Sequence, residues 1–191
     1  MQTLIPSRLQ PGDTVGIISP SSTLYARKEK FEKAVEVFTQ KFDVQVKLSP
    51  HVMGRHYYSS GTTQERLDDF HHMIVDPEIK AIIFSIGGNT AIDLVTGLDY
   101  ELIKKHPKII AGISDASTLL NPIYAKTGLL TFHGLEFTDF GLEPMTYETE
   151  QIKKTFFAGE TGALHANPAW YDFDNQKTSY AGWQTIKEGK A

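Results

Sequence analysis

The fold is decided by the stretch Lys108-Ile109-Ile110-Ala111-Gly112-Ile113-Ser114-Asp115-Ala116-Ser117. Its compact apolar residues, followed by a turn and by polar residues, predict a short buried strand, a sharp turn and the start of a helix. Gly112 and Ala116 place small residues two positions before and two positions after Ser114. This spacing is the steric condition for a nucleophile elbow, whose usual pattern is Gly-x-Ser-x-Gly. We expect such a turn to hold the Ser114 hydroxyl above the carboxyl end of a sheet.

Two interpretations of this serine stay open from the pattern alone. In the first, Ser114 is a nucleophile, and the N–H of Asp115 lies at a helix N-terminus where it can bind an oxyanion. In the second, Ser114 or Asp115 is only the N-cap of a helix, because Ser and Asp are favoured at that position.

Strands and helices alternate along the chain. Apolar or alternating segments predict strands at 14–19, 44–48, 80–86, 109–112 and 129–132, and helical spacing predicts helices at 26–42, 63–75, 91–96, 100–106, 115–126 and 146–157. This order predicts an α/β fold with a mostly parallel sheet and helices on both faces. We expect the arrangement of a flavodoxin-like or class I glutaminase-like N-terminal domain.

Polar or glycine-containing segments follow four of the predicted strands. They are Ser19–Ser22, Gly87–Thr90, Gly112–Ser117 and His133–Glu136. Parallel α/β sheets bind ligands at the carboxyl ends of their strands, so these segments are expected to converge on one site. Three interpretations of Gly87–Thr90 stay open: it supplies a second oxyanion-hole N–H, it cradles a phosphate, or it is a tight turn that needs positive φ.

The composition excludes several classes of protein. The chain has 191 residues, a net charge of −4 and no cysteine, which excludes disulfides, a thiol nucleophile and Cys-ligated zinc. Lys and Arg are scattered, so no nucleic-acid partner is expected. No apolar run approaches the roughly 20 residues of a membrane span, and residues 1–11 lack the apolar core of a signal peptide. We therefore expect a cytoplasmic protein without a membrane partner.

The character of the sequence changes after Gly159. We expect an N-terminal α/β nucleophile domain over residues 1–165, and over 166–191 a linker that leads to a C-terminal domain absent from this chain. The linker contains Trp170 and Trp183 but shows no clear periodicity. A two-domain enzyme cut at this boundary would expose an apolar face, through which two copies could associate as a homodimer.

Four motifs occur in the order of a known family. They are Pro11-Gly12-Asp13-Thr14-Val15, Ile86-Gly87-Gly88-Asn89, the stretch 107–115 and the stretch 126–134. Together they resemble the LD-carboxypeptidase family of serine peptidases over about the first 140 residues. The Gly-Gly-Asn turn and the segment Tyr124-Ala125-Lys126-Thr127-Gly128 are more similar to its microcin C immunity branch than to its muropeptide-recycling branch.

The resemblance implies a hydrolase that cleaves an amide bond near a free carboxyl end with a Ser-Glu-His triad, without metal or other cofactor. The implied substrate is a small peptide with a muropeptide L,D-bond, or a peptidyl-nucleotide. Ser114 falls on the nucleophile, and the N–H groups of Asp115 and Gly88 fall on the oxyanion hole. Three further residues are expected to shape the substrate pocket: Gly87, Asn89 and His133.

The Glu and His of the triad lie in a second domain in this family, and the sequence ends before either. A pair within the chain, His133 with Glu136 as its orienter, is an alternative source of the base. A serine hydroxyl is a poor nucleophile without one. Loss of the triad costs a factor on the order of 10⁶ in rate, and one oxyanion donor is worth roughly 10²–10³. We therefore expect this chain to be a fragment that is essentially inactive alone.

Two hypotheses compete with this enzyme. In one, the chain is a non-catalytic phosphate- or nucleotide-binding module, in which Gly87–Thr90 holds the anion and Ser114 caps a helix. In the other, the chain folds and binds a partner but catalyses nothing. The family also often has Pro where Leu135 stands, which bears on the shape of that loop.

Overall fold

Five parallel strands form the central sheet of the computed structural model, which describes residues 2–142, 146–167, 169–171 and 185–188. The strands are β1 (Thr14–Ile18), β2 (Gln45–Leu48), β3 (Ile79–Phe84), β4 (Ile109–Gly112) and β5 (Phe132–His133). They lie in the order β2-β1-β3-β4-β5, and each neighbouring pair is parallel. This order is the flavodoxin-like one, so the predicted α/β fold is confirmed.

Helices alternate with these strands. They are α1 (Lys28–Phe42), α2 (Thr63–Val75), α3 (Tyr100–Lys105), α4 (Ser117–Thr127) and α5 (Thr146–Ile152). A π-helical turn, Lys153–Ala158, extends α5, and short 3₁₀ turns occupy Tyr25–Arg27, Ala91–Leu94, Ser114–Ala116 and Phe137–Leu142. A capping box begins α2, because the Thr62 hydroxyl accepts the Glu65 N–H and the Glu65 carboxylate accepts the Thr62 N–H.

Two apolar cores lie against the sheet, one on each face. Successive residues of β3 alternate between them: Ala81 and Ile83 join the core of α1, whereas Ile82 and Phe84 join the core of α2 and α4. A strand that is covered on both faces needs apolar residues at its buried positions, which is why β4 and the part of β3 from Ala81 to Phe84 read as continuous apolar runs, whereas the exposed Lys80 lies near the beginning of β3. This burial fixes the position of each strand along the sheet, and with it the position of the loop that follows the strand at the carboxyl edge.

The edge strand β5 of the central sheet is shorter than the sequence predicts. Only Phe132 and His133 pair with β4, although a strand over 129–132 was expected. The N-terminal segment takes the other positions, because the Leu4 N–H donates to the Gly128 carbonyl and the Leu130 N–H donates to the Leu4 carbonyl. His133 therefore lies in a strand and not in the loop after it.

The segment after residue 165 contains elements that the sequence analysis does not predict. Within the expected linker, β6 (Ala169–Tyr171) pairs antiparallel with β7 (Thr185–Glu188). Trp183 lies outside the described residues, and the domain boundary at residue 165 stays a prediction. In the described part of the chain, no helix combines the length and the apolar character that a bilayer crossing needs.

Lys108 anchors the beginning of β4 to the end of α2. Its Nζ donates to the carbonyl oxygens of Met73, at 3.1 Å, and of Asp76. The residue is only 7% exposed, and burial lowers the pKa of its ammonium group to about 8. The charge lies at the C-terminus of α2, where the helix dipole favours a cation.

Stability should therefore rise with pH in a way that depends on Lys108. Between about pH 8 and the unfolded pKa of about 10.4, the unfolded chain binds more protons than the folded chain, so the free energy of unfolding increases with pH. Urea titrations of the wild-type chain and of Lys108→Met should show the wild-type gaining on the variant across this window, by at most about 1.4 kcal/mol per pH unit. A constant difference between the two would contradict the described burial.

Candidate active site

The turn after β4 has the backbone of a nucleophile elbow. Ser114 has a φ of 61°, in the left-handed region that residues other than glycine rarely adopt. A Cβ on Gly112 would lie 2.7 Å from the Cβ of Ala116 and 2.7 Å from Cδ2 of Phe84. The chain thus doubles back as tightly as the Gly-x-Ser-x-Ala spacing predicts, and α4 begins directly after the turn.

The N-cap interpretation of this turn is wrong. No side chain caps either the 3₁₀ turn Ser114–Ala116 or α4. The Asp115 carboxylate turns toward other loops, as described below. In the described part of the chain, the Ser114 hydroxyl has no hydrogen-bond partner, which leaves it available at the carboxyl edge of the sheet.

The tight packing behind the elbow can be tested by stability. We expect Gly112→Ala to lower the free energy of unfolding by about 1–3 kcal/mol, because the new methyl group overpacks the contact with Ala116 and Phe84. Gly162→Ala is the matched control, since a Cβ there meets nothing within 4 Å. Chemical denaturation of both variants measures the difference. Equal stability of the two would show that the elbow is looser than described.

The turn after β3 lies directly against Ser114. A Cβ on Gly87 would be 2.9 Å from the Ser114 Cβ and 3.3 Å from its Oγ. Gly88 has a φ of 157°, and a Cβ there would overlap the hydroxyl oxygens of Ser21 and Ser22. Both positions therefore require glycine so that backbone can approach the serine.

The two N–H groups expected in the oxyanion hole belong to the segments that meet at Ser114. No described residue accepts a hydrogen bond from the Gly88 N–H or from the Asp115 N–H. Two free N–H groups beside a serine can stabilise the charge that develops on a carbonyl oxygen during attack. The assignment of these groups to catalysis stays a prediction.

A single carboxylate oxygen ties three of the loops together. Oδ2 of Asp115 accepts the Ser21 hydroxyl at 2.6 Å and the Ala91 N–H at 3.2 Å. The Ser21 Oγ in turn accepts the Thr90 N–H at 3.1 Å. We call these four residues, Ser21, Thr90, Ala91 and Asp115, the loop lock. It joins the loops after β1, β3 and β4 at the point where the Gly87–Gly88 turn meets the elbow.

The buried side chain of Arg66 reinforces the loop lock from α2. Its Nη1 donates to the Pro20 carbonyl at 2.7 Å, to the Thr90 carbonyl at 3.0 Å and to the Thr90 hydroxyl at 3.2 Å. Arg66 is 3% exposed. Burial lowers the pKa of the guanidinium, and the carboxylates of Asp93 and Asp115 oppose this shift.

The sequence analysis missed Arg66, although a signal was present. Arg66 precedes Phe70 by four residues and Met73 by seven, so it lies on the apolar stripe of an amphipathic helix. A charged residue on such a stripe is rarely buried unless polar groups surround it. Its position therefore indicated a polar cluster beneath α2.

Loss of this guanidinium should weaken the loops that surround Ser114. We expect Arg66→Met to lower the free energy of unfolding by about 1.5–3 kcal/mol or more, because hydrogen bonds from charged donors have that magnitude. The amide protons of Thr90 and Ala91 should also exchange faster with solvent. Lys104→Met, which removes an exposed cation from α3, is the control and should change neither property. Unchanged exchange in Arg66→Met would contradict the proposed reinforcement.

The other two predicted pocket residues, Asn89 and His133, are both exposed. Asn89 is exposed between Gly88 and Thr90. His133 pairs with Gly112 through the backbone of β5, but its exposed side chain lines a separate cavity of about 410 Å³, together with Leu135 and Phe156. Ser114 does not line that cavity.

The structure does not join His133 and Glu136, the two residues considered as a source of the general base within the chain. The Glu136 carboxylate accepts the Thr138 hydroxyl at 2.7 Å, and burial raises the pKa of Glu136. Among the described residues, His133 forms no hydrogen bond with Ser114 or with Glu136. The elbow and its free N–H groups are therefore present without a histidine that is hydrogen-bonded to Ser114 in the described part of the chain.

The loop lock also counts against a phosphate cradle at Gly87–Thr90. A cradle needs free N–H groups at the start of the following turn. Here the Thr90 N–H is bound to Ser21 and the Ala91 N–H is bound to a carboxylate, which would repel a second anion. The Gly87, Gly88 and Asn89 N–H groups have no acceptor among the described residues, so the loop lock closes only the end of this segment where the next turn begins.

The sequence that forms this site matches a known protein family. Residues 15–134 match the model of the LD-carboxypeptidase N-terminal domain, and the chain belongs to that family. Among its relatives, the probable murein peptide carboxypeptidase of Bacillus subtilis is 39% identical over 153 residues, which cover 80% of this chain and 47% of that protein. The microcin C7 self-immunity protein MccF of Escherichia coli is also 39% identical over 153 residues, covering 76% of this chain and 44% of that protein.

Solved structures confirm the fold. An MccF-like protein from Bacillus anthracis superposes with a TM-score of 0.88 at 30% identity, over 97% of this chain and 56% of that chain. A structure of MccF bound to adenosine monophosphate gives a TM-score of 0.83 at 30% identity, over 98% of this chain and 56% of that chain. The chain spans about half the length of the curated relatives it matches.

Proposed function

We propose that this chain carries the nucleophile and the oxyanion hole of a serine carboxypeptidase-type hydrolase, which cleaves an amide bond near a free carboxyl end. The observation that carries the proposal is the left-handed φ of Ser114, held directly against the Gly87–Gly88 turn. Strained backbone at a nucleophile is retained only where the surrounding structure holds it in place. Membership of the carboxypeptidase family supports the same reaction.

In the proposed reaction, the Ser114 hydroxyl attacks the carbonyl carbon of the scissile amide. The carbonyl oxygen becomes an oxyanion that accepts the N–H groups of Gly88 and Asp115. The tetrahedral intermediate then collapses, its C–N bond breaks, and the amine nitrogen leaves with a proton. Water hydrolyses the acyl-serine and restores the hydroxyl.

The proton of Ser114 needs a base, and we propose that the triad Glu and His lie in the part of the protein outside this chain. Two facts support this: no described histidine forms a hydrogen bond with Ser114, and the matched part of this chain covers less than half of each of these two relatives. The substrate is a small peptide with a muropeptide L,D-bond, or a peptidyl-nucleotide. The names of the Bacillus subtilis relative and of MccF support these two classes.

A chimera tests the proposal directly. The chain alone should release no amino acid from a tetrapeptide that ends in D-alanine, because its serine lacks a base. Fusion to the C-terminal half of the Bacillus subtilis relative should restore release. Ser114→Ala should then lower the rate of the chimera by a factor on the order of 10⁶, the effect of removing a serine nucleophile.

Ser7→Ala makes the same chemical change at an exposed position and should leave the rate of the chimera unchanged. Turnover that survives Ser114→Ala in the chimera would overturn the assignment of the nucleophile. Turnover by the 191-residue chain alone would overturn the placement of the base outside it.

A further inference from the structure

A cavity of about 580 Å³ opens beside the oxyanion turn and takes no part in the chemistry described so far. Ser22 and Ile86 form its wall on the side of the elbow. Ile86 precedes Gly87 in the chain, and the Ser22 N–H donates to the Gly87 carbonyl at 3.4 Å. A ligand in this cavity would therefore lie next to the turn that holds Gly88.

Two cationic side chains line this cavity, Arg27 and Arg55. Both are exposed, and neither forms an ion pair with a carboxylate among the described residues. The Arg55 guanidinium lies 5.1 Å from the centre of the Tyr25 ring, a cation–π contact that limits its motion. Burial raises the pKa of Glu136 and the charge of Arg27 opposes this rise, but the Glu136 carboxylate is already bound to the Thr138 hydroxyl.

Two exposed aromatic rings stand at the mouth of the cavity. Tyr57 and Tyr58 are 83% and 82% exposed, and both belong to its lining. They form the tip of a two-residue hairpin, since His56 and Ser59 exchange backbone hydrogen bonds at 2.8 and 3.0 Å. Tyr57 has a φ of 53°, at a hairpin position that glycine normally takes.

This arrangement is costly unless it serves a purpose. Tyr57 is a bulky residue at positive φ, which strains the backbone. Because the rings of Tyr57 and Tyr58 are exposed, they contribute no hydrophobic free energy to folding. The hairpin is nevertheless tied to the loop after β1, because the Ser60 N–H donates to the Ser21 carbonyl at 3.1 Å. Strain at a well-anchored site indicates a function.

We propose that this cavity is the subsite for the negatively charged end of the substrate. The free carboxylate binds Arg27 and Arg55, and the group next to it packs on Tyr57 and Tyr58. Guanidinium groups suit carboxylates because they donate two parallel hydrogen bonds. The identity of the bond that is cut rests on the proposed function, but binding of the carboxylate does not require the Ser114 hydroxyl.

Titration calorimetry on the 191-residue chain tests this subsite. The probes are a tetrapeptide that ends in D-alanine, the same peptide with a terminal carboxamide, and inorganic phosphate. We expect the amide to bind at least tenfold more weakly than the acid. Arg55→Gln and Arg27→Gln should each remove most of this difference, whereas Lys28→Gln should keep it, because Lys28 lies outside the cavity lining and already pairs with Glu32.

The Tyr57→Gly variant distinguishes a binding role of Tyr57 from a purely structural one, because its effects on stability and on binding should have opposite signs. Glycine relieves the positive φ, so the variant should melt at a higher temperature, yet it should bind the acid more weakly. Equal binding of acid and amide, or no binding by a chain that circular dichroism shows to be folded, would overturn the proposal. Equally tight phosphate binding that depends on the same arginines would overturn the choice of a carboxylate.

The Ser114→Ala variant separates this proposal from the proposed function. It should keep the preference for the acid, because the arginines and not the hydroxyl provide it. Turnover by the Ser114→Ala chimera, together with an intact preference for the acid, would overturn the nucleophile assignment alone. Loss of the preference in an active chimera would overturn the subsite alone.

Discussion

The candidate site depends on one carboxylate oxygen. Oδ2 of Asp115 accepts the Ser21 hydroxyl and the Ala91 N–H, and so binds the elbow to the loops after β1 and β3. Hydrogen bonds to a charged acceptor contribute about 1.5–3 kcal/mol each, which is more than neutral ones contribute. The Ser22 N–H, which donates to the Gly87 carbonyl, and Arg66, which donates to the Thr90 carbonyl, add to this hold on the Gly87–Gly88 turn. The side chain of the residue that follows the serine thus fixes the position of the turn opposite, and in the proposed reaction its N–H also serves the oxyanion hole.

Because of this constraint, the rigid centre of the site and the exposed cavity beside it have different roles. Buried strands on both faces of the sheet set the height of each loop, and the loop lock with Arg66 sets their separation. Outside this rigid centre, the arginines and tyrosines of the neighbouring cavity stay exposed, where a substrate can reach them. Chemistry at the elbow needs fixed distances, whereas recognition of a charged end tolerates longer side chains.

The sequence predicted those features of the structure that depend on residues close together in the chain. The alternation of strands and helices, and the small residues around Ser114, follow from neighbours within a few positions, and the structure agrees with them. The length of β5 was misjudged because Leu4, more than 120 residues away in the chain, takes its backbone partners. Arg66 and the loop lock were missed for the same reason, since their partners lie 24 to 94 positions away. Contacts between residues so far apart in the sequence cannot be predicted from the spacing of apolar residues within one helix or strand.

The central claim is that Ser114 forms the covalent intermediate, and trapping that intermediate tests it most directly. The chimera would be mixed with the tetrapeptide, quenched in acid within one turnover and digested with trypsin. The account predicts that the peptide 109–126 gains the mass of the acyl group and that fragmentation places it on Ser114. An acyl group on another residue, or turnover with no acylated peptide, would contradict the account.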